Sequence, residues 1–317
     1  MPAAEPTSAR FASPFARYLL RYLLATRPAF LTVTLAGCLI GLASVHAQGL
    51  AIDPLRATLT VCFALLAHAG VNVINDYYDA LNGSDAANQH RCFPFTGGSR
   101  FIQNQVLTLR ETAWPGYGLL LAVVPAGLWL TLHSAPGLMR VGLAGLLLGW
   151  AYSAPPLKLM CRGLGEVAIV GGWLLVVVGS DFVQRGAFVW QPFHVGLPYA
   201  LLVANILYIN QFPDVQADAQ AGKHTLVVRL GVEQAKWGYL VIALLAYGWL
   251  ILMVGRGVLP VYAAAGALPL ILSFHAGREL LQHAAEPAQL VPAIQKTIAA
   301  ANLSGLLLAL GLAFSRL

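Results

Sequence analysis

Nine stretches of roughly 20 mainly apolar residues, separated by short polar segments, occupy nearly the whole chain. A stretch of that length crosses the hydrocarbon core of a bilayer as an α-helix, where the helix satisfies its own backbone hydrogen bonds. The expected fold is therefore an all-α membrane protein, a bundle of nine transmembrane helices at 29–49, 55–76, 116–134, 137–154, 165–183, 196–212, 237–255, 258–276 and 296–315. Residues 29–317 form one transmembrane domain. The composition agrees, with 58% hydrophobic and 10% charged residues and a mean hydropathy of +0.69, values foreign to a soluble domain.

Placing the amino terminus inside puts fourteen Lys and Arg residues on the cytoplasmic side and five (Arg56, Arg140, Arg185, Arg256 and Arg316) on the other. That asymmetry orients the bundle by the positive-inside rule, in a bacterial cell across the inner (cytoplasmic) membrane. The net charge of +6 is then a topology signal and calls for no nucleic-acid partner. Residues 1–28 carry Arg10, Arg17 and Arg21 among Phe, Tyr and Leu, without a small-residue cleavage site. They are expected to lie as an interfacial segment on the anionic inner leaflet. Cys38, Cys62, Cys92 and Cys161 match neither a disulfide framework nor a zinc-ligand spacing, and read as isolated thiols.

Two segments interrupt the apolar pattern with acids. Asn75-Asp76-Tyr77-Tyr78-Asp79, followed by Asp85, ends the second span, and Asn210-Gln211-Phe212-Pro213-Asp214, followed by Asp218, ends the sixth. On a helix His68, Asn72, Asn75, Asp76 and Asp79 share a polar stripe about 100° wide. Asn210, Asp214 and Asp218 are spaced i, i+4, i+8 and share a face in the same way. A single acid near a helix end is commonly just solvated, but five of the thirteen acids lie in these two matched motifs. The sixth span comes four after the second, with three spans between, so both motifs reach the same, cytoplasmic, face as a parallel pseudo-repeat, unlike the inverted repeats common in transporters.

Asp76, Asp79, Asp85, Asp214 and Asp218 together would repel an anionic substrate unless cations intervened. Mg²⁺ takes oxygen ligands and shares one or two carboxylates with substrate phosphates, so the motifs suggest a metal-bridged diphosphate between two helices. Pro213 is expected to kink the sixth span. Basic residues follow each motif: Arg91 and Gly97-Gly98-Ser99-Arg100 after the first, Gly222-Lys223-His224-Thr225 and Arg229 after the second. Arg100 and Lys223 stand out because glycines beside them let backbone approach an anion closely. A third loop on the same face, Tyr152-Ser153-Ala154-Pro155-Pro156-Leu157-Lys158, adds hydroxyls and a cation. His68 reads as a histidine satisfied inside the bundle, and Asp181 with Arg185 as an i, i+4 ion pair.

Asn75-Asp76-x-x-Asp79 with Asp85, then Asp214-x-x-x-Asp218 with Gly222-Lys223-x-Thr225-Leu226, resembles the UbiA superfamily of intramembrane aromatic prenyltransferases. Asp85 six residues after Asp79, Gly97-x-x-Arg100-x-x-Gln103 and Arg162-Gly163-Leu164-Gly165-Glu166 are most similar to its 1,4-dihydroxy-2-naphthoate polyprenyltransferases. Two departures stand out: Gly98 where that subfamily commonly has Pro, and Gln211-Phe212-Pro213 in place of a polar Asn-x-Arg run.

The resemblance implies transfer of a polyprenyl group from a polyprenyl diphosphate to an aromatic acceptor. Mg²⁺ is expected on Asn75, Asp76, Asp79, Asp85, Asp214 and Asp218, with Asp76, Asp79, Asp214 and Asp218 catalytic. Substrate is expected against Asn72, Asn75, Arg100, Tyr152, Ser153, Lys158, Asn210 and Lys223. The rival readings are the same enzyme class with homogentisate, 4-hydroxybenzoate or a porphyrin or chlorin as acceptor, a terpene cyclase, and a non-enzymatic transporter.

Overall fold

A computed structural model describes residues 4–7 and 15–315, with side chains from residue 18 onward in the second stretch. Arg10 and Arg316 lie outside the described residues, as does the side chain of Arg17. Among the described residues twelve α-helices follow one another: α1 (Phe15–Ala25), α2 (Thr32–Ala47), α3 (Pro54–Asn82), α4 (Ser84–Ala87), α5 (Leu109–His133), α6 (Gly137–Ser153), α7 (Gly165–Arg185), α8 (Gln191–Gln220), α9 (Leu226–Leu230), α10 (Val232–Gly255), α11 (Leu270–His283) and α12 (Val291–Ala313).

Seven helices among the described residues are long and apolar enough to cross a membrane: Pro28–Ala47, α3, α5, α7, α8, α10 and α12. This differs from the nine spans expected. At 17 residues α6 falls just below the length of that group, yet it runs the depth of the bundle, from Gly137 beside Phe182 to Ser153 beside Asn75. The segment read as one span at 258–276 is broken in two, a 3₁₀ turn at Val261–Ala267 and then α11, because Pro269 has no amide hydrogen to continue a helix. Conversely, α3 and α8 run beyond the expected ends, to Asn82 and Gln220, so both acid motifs sit on rigid helix. Pro213 lies within uninterrupted α8.

Local chemistry sets several boundaries. The Asp53 side chain accepts the Arg56 amide at 2.9 Å and Pro54 occupies the first turn, which together start α3. Thr108 and Glu111 exchange bonds in a capping box that starts α5. The helices then pack through buried faces, with α8 most enclosed. Tyr199 and Tyr208 on α8 are each 1% exposed, and their hydroxyls donate at 2.6 Å to the carbonyls of Val33 and Ala235. Gly41 lets α2 lie against α7, where any Cβ would collide with the Val177 carbonyl.

The outer surface carries large apolar side chains on many helices, among them Trp114, Leu132, Leu147, Leu244 and Phe274. In water such a surface would be an aggregation site, whereas in lipid it is solvated. On α1 the exposed residues are Tyr18, Leu19, Leu20 and Leu23, while Arg21 is held by Glu111 and the Val106 carbonyl.

Asp79 near the end of α3 and Asp218 near the end of α8 both contact Lys223, so the two helices run in parallel and deliver their acids to one end of the bundle. At the opposite end Asp181 pairs with Arg185 at 2.7 Å, as the i, i+4 spacing predicts. The shared end gives a topological test. Single cysteines at the exposed positions Ala86 and Ala219, in a background lacking the native thiols, should both react with an impermeant maleimide from one side of sealed vesicles. Labelling from opposite sides would contradict the parallel arrangement.

Candidate active site

The carboxylates border a cavity of about 480 Å³ lined by α2, α3, α5, α6, α7 and α8. Its lining on α3 runs from Thr60 to Asp79, about 28 Å at 1.5 Å per residue, close to the hydrocarbon thickness of a bilayer. One end is polar, with Asp79, Asp85, Asp214, Asp218 and Lys223. The rest is mainly apolar, with Phe63, Leu120, Leu138 and Val203 among its walls.

At the polar end Lys223 Nζ lies 3.2 Å from both oxygens of Asp79 and 3.5 Å from Asp218, bridging the two motifs. Burial opposes the Lys223 charge, but the carboxylates of Asp79 and Asp218 outweigh it and hold the ammonium well above the ordinary lysine pKa. Asn75 donates to Asp79 at 3.1 Å and to Ser153 at 3.1 Å, tying the third loop to the first motif. Asn88 donates to Asp214 at 2.6 Å, joining the segment after α3 to α8. Burial, reinforced by Asp79 and Asp76, pushes the Asp85 carboxyl well up from its usual range.

The glycine pair forms a tight corner over these acids. Gly97 and Gly98 have φ of 76° and 72°, and the next amide, from Ser99, donates to both oxygens of Asp76 at 3.2 and 3.3 Å. A Cβ on Gly98 would strike the Asp85 carboxylate and approach Asp76 Oδ1 to 3.2 Å. Proline cannot adopt that φ, which accounts physically for glycine at this departure. Gly98→Ala should destabilise the protein by on the order of 1–2 kcal/mol from backbone strain alone. It should also lower turnover. Thermal unfolding in detergent checks the first effect, and an unchanged melting temperature would contradict the strained corner.

Of the residues singled out by sequence, Asn72, Asn75, Asp79, Asp85, Tyr152, Asn210, Asp214, Asp218 and Lys223 line the cavity. Asp76 and Ser153 are buried just behind it, 4% and 2% exposed. Two basic residues stand outside the lining. Arg100 lies outside the cavity lining, 7% exposed, with φ 66° turning its guanidinium onto the Asp85 backbone carbonyl and toward Glu5 at 4.0 Å. It therefore holds the Asp85 segment in place and does not reach into the cavity. Lys158 is exposed on its loop and also absent from the lining; φ 43° there begins the turn Leu159–Arg162, whose Met160 does line the cavity.

Arg27 and Asn88 line the cavity and were not identified from sequence. Arg27, with φ 56° just before Pro28, donates to the Phe95 carbonyl at 3.1 Å. Its position directly ahead of the first span was the available signal, and charge bias alone explained it as well. The four cysteines are free, as expected.

An all-helical, multi-pass membrane protein with carboxylates at one end of a bilayer-deep apolar cavity is built for a lipid-soluble substrate with a charged head. The chain belongs to the UbiA prenyltransferase family, whose pattern matches residues 30–297, and it is a prenyltransferase. It is 28% identical over 301 residues to a 1,4-dihydroxy-2-naphthoate octaprenyltransferase of Escherichia coli, covering 92% of this chain and 94% of that protein. A protein of the same description from Mycobacterium leprae is 33% identical over 179 residues, a match spanning 56% of this chain and 58% of the relative. The fold is shared with a UbiA homolog from Archaeoglobus fulgidus whose structure holds DMAPP and Mg²⁺, at a TM-score of 0.63 and 17% identity over 90% of this chain and 98% of that one.

Proposed function

We propose that this protein transfers a polyprenyl group from a polyprenyl diphosphate to 1,4-dihydroxy-2-naphthoate, with loss of carbon dioxide, in menaquinone biosynthesis. The observation that carries this reading is the union, in one cavity, of a bilayer-deep apolar shaft with an acid- and lysine-lined end. The naphthoate assignment is supported by relatives of that description. The polyprenyl tail lies along the shaft in contact with α3, and its diphosphate meets the acids at the inner face of the membrane.

The residues present fit Mg²⁺. A cation already stands between the motifs, the Lys223 ammonium, and the buried Asn88 Oδ1 beside Asp214 has no hydrogen-bond partner. Asn75, Asp76, Asp79, Asp85, Asp214 and Asp218 would hold the metal directly or through water. When bound, it supplies positive charge that neutralises the diphosphate as it departs.

The chain's own residues do the rest. Lys223 is placed to exchange its carboxylate partners for diphosphate oxygens, a charge stabilisation that grows as the allylic carbon–oxygen bond breaks. Apolar walls keep water from the allylic cation, which the ring carbon bearing the carboxylate attacks. Carbon dioxide then leaves and the ring regains aromaticity.

An acceptor screen by mass spectrometry tests the reading. With a polyprenyl diphosphate and Mg²⁺, 1,4-dihydroxy-2-naphthoate should yield a decarboxylated prenyl naphthoquinol, and 4-hydroxybenzoate should yield little. Prenylation of homogentisate or 4-hydroxybenzoate with the naphthoate ignored would overturn the acceptor assignment.

A further inference from the structure

Behind the acid cluster lies a small side bay of about 60 Å³, bordered by Tyr152, Glu166, Asn210, Gln211, Lys223 and Thr225. Tyr152, Asn210 and Lys223 also line the main cavity, so the bay adjoins the reacting end of the shaft. Glu166 begins α7 and is 8% exposed; Thr225 precedes α9 and is 5% exposed. One Glu166 oxygen accepts from the Gln211 amide, and Gln211 Oε1 in turn accepts the Val227 amide at 3.2 Å. This chain of bonds fixes the carboxylate against α8 and leaves its other oxygen without a partner. Thr225 Oγ1 and Asn210 Oδ1 are buried without partners as well.

Buried polar atoms are nearly always satisfied, and a buried carboxylate is costly unless it is paired or hydrogen-bonded. Three unpaired atoms bordering one bay specify what belongs there. Glu166 Oε2 and Asn210 Oδ1 only accept hydrogen bonds when the acid is ionised, and Thr225 Oγ1 can do either. A diphosphate offers no donor and a prenyl chain no polar atom, so neither substrate half used so far matches. A phenolic hydroxyl does.

We infer that Glu166 is a catalytic residue that receives the hydroxyl of the aromatic acceptor in this bay and takes its proton as the new carbon–carbon bond forms. The inference rests on the aromatic-acceptor reading above. The diphosphate departs with the pair of the broken carbon–oxygen bond, and the electron pair of the O–H bond then moves into the ring as the ring carbon bonds to the allylic cation. The resulting ketone is rearomatised by loss of the carboxylate as carbon dioxide, whose bond pair returns to the oxygen. Glu166 then gives back the proton, leaving the quinol hydroxyl restored and no net proton consumed. Gln211 is a positioning residue, holding the spare oxygen toward the bay, and Thr225 steadies the hydroxyl.

The test uses the full-length protein in detergent with whichever hydroxylated aromatic the acceptor screen shows the wild type to prenylate. Glu166→Gln keeps the shape of the side chain and removes its basicity. It should lower kcat at least about 100-fold, the scale of a lost general base. Prenyl diphosphate affinity, measured separately by equilibrium binding, should stay within about twofold of wild type and reports folding. Thr225→Val should raise the acceptor KM with that affinity unchanged. In the wild type an acceptor with its hydroxyl methylated should lose turnover, and Glu166→Gln should reduce it no further. Near-normal kcat in Glu166→Gln, or equal loss with the hydroxylated and methylated acceptors, would overturn the role of Glu166. A wild type that prenylates no hydroxylated aromatic would instead overturn the function proposed above, and this inference with it.

Discussion

Asp79→Ala and Asp214→Ala should each lose at least about 100-fold in turnover, the scale of removing a major electrostatic stabiliser from an active site. Asp79 lies on α3 and Asp214 on α8, and each also anchors a partner from another segment, Lys223 in the first case and Asn88 in the second. Loss of either therefore opens one half of a two-sided grip. EDTA should abolish wild-type activity and added Mg²⁺ should restore it, while neither variant should be rescued by Mg²⁺ at ordinary concentrations. Rates measured with saturating acceptor, on protein that elutes as a single species, check this. Full activity in either variant would remove the two-motif site.

Lys223 offers a prediction read from stability. Its ammonium bridges Asp79 and Asp218 with 13% of its side chain exposed. Lys223→Met keeps most of the apolar stem and leaves both acids without a counter-charge. Removing one partner from a buried ion pair costs about 3–5 kcal/mol, so the variant should melt well below wild type in EDTA. Mg²⁺ should narrow the gap, because the ion that the carboxylates are built to hold replaces the missing charge and binds the folded state preferentially. Catalysis should stay poor, since the metal cannot restore the contact of Lys223 with the diphosphate. Equal melting temperatures in EDTA would show that the bridge contributes nothing to the fold.

The acid motifs were legible because helical spacing alone places Asn75 with Asp79, and Asn210 with Asp214 and Asp218, on common faces, and because five of the thirteen acids fall in two matched motifs. Their convergence was legible too, since counting intervening spans gives the relative direction of α3 and α8. Hydropathy averages could not separate the continuous helix of α10 from the broken segment around Pro269, where one missing amide hydrogen matters more than mean apolarity. Loop cations were less legible still. Arg100 and Lys158 owe their directions to left-handed backbone at φ 66° and 43°, a property of the folded loops that residue type and glycine proximity do not reveal. Glu166 sat in a recognised run but carried no visible task, because its importance comes from an unpaired oxygen beside residues more than 40 positions away.

The central claim is that one cavity releases diphosphate and passes the prenyl group to an aromatic ring. Purified protein reconstituted in liposomes, given Mg²⁺, a radiolabelled polyprenyl diphosphate and 1,4-dihydroxy-2-naphthoate, should release one diphosphate for each labelled, decarboxylated naphthoquinol formed. Label that crosses or stays in the membrane with its diphosphate intact would contradict the account.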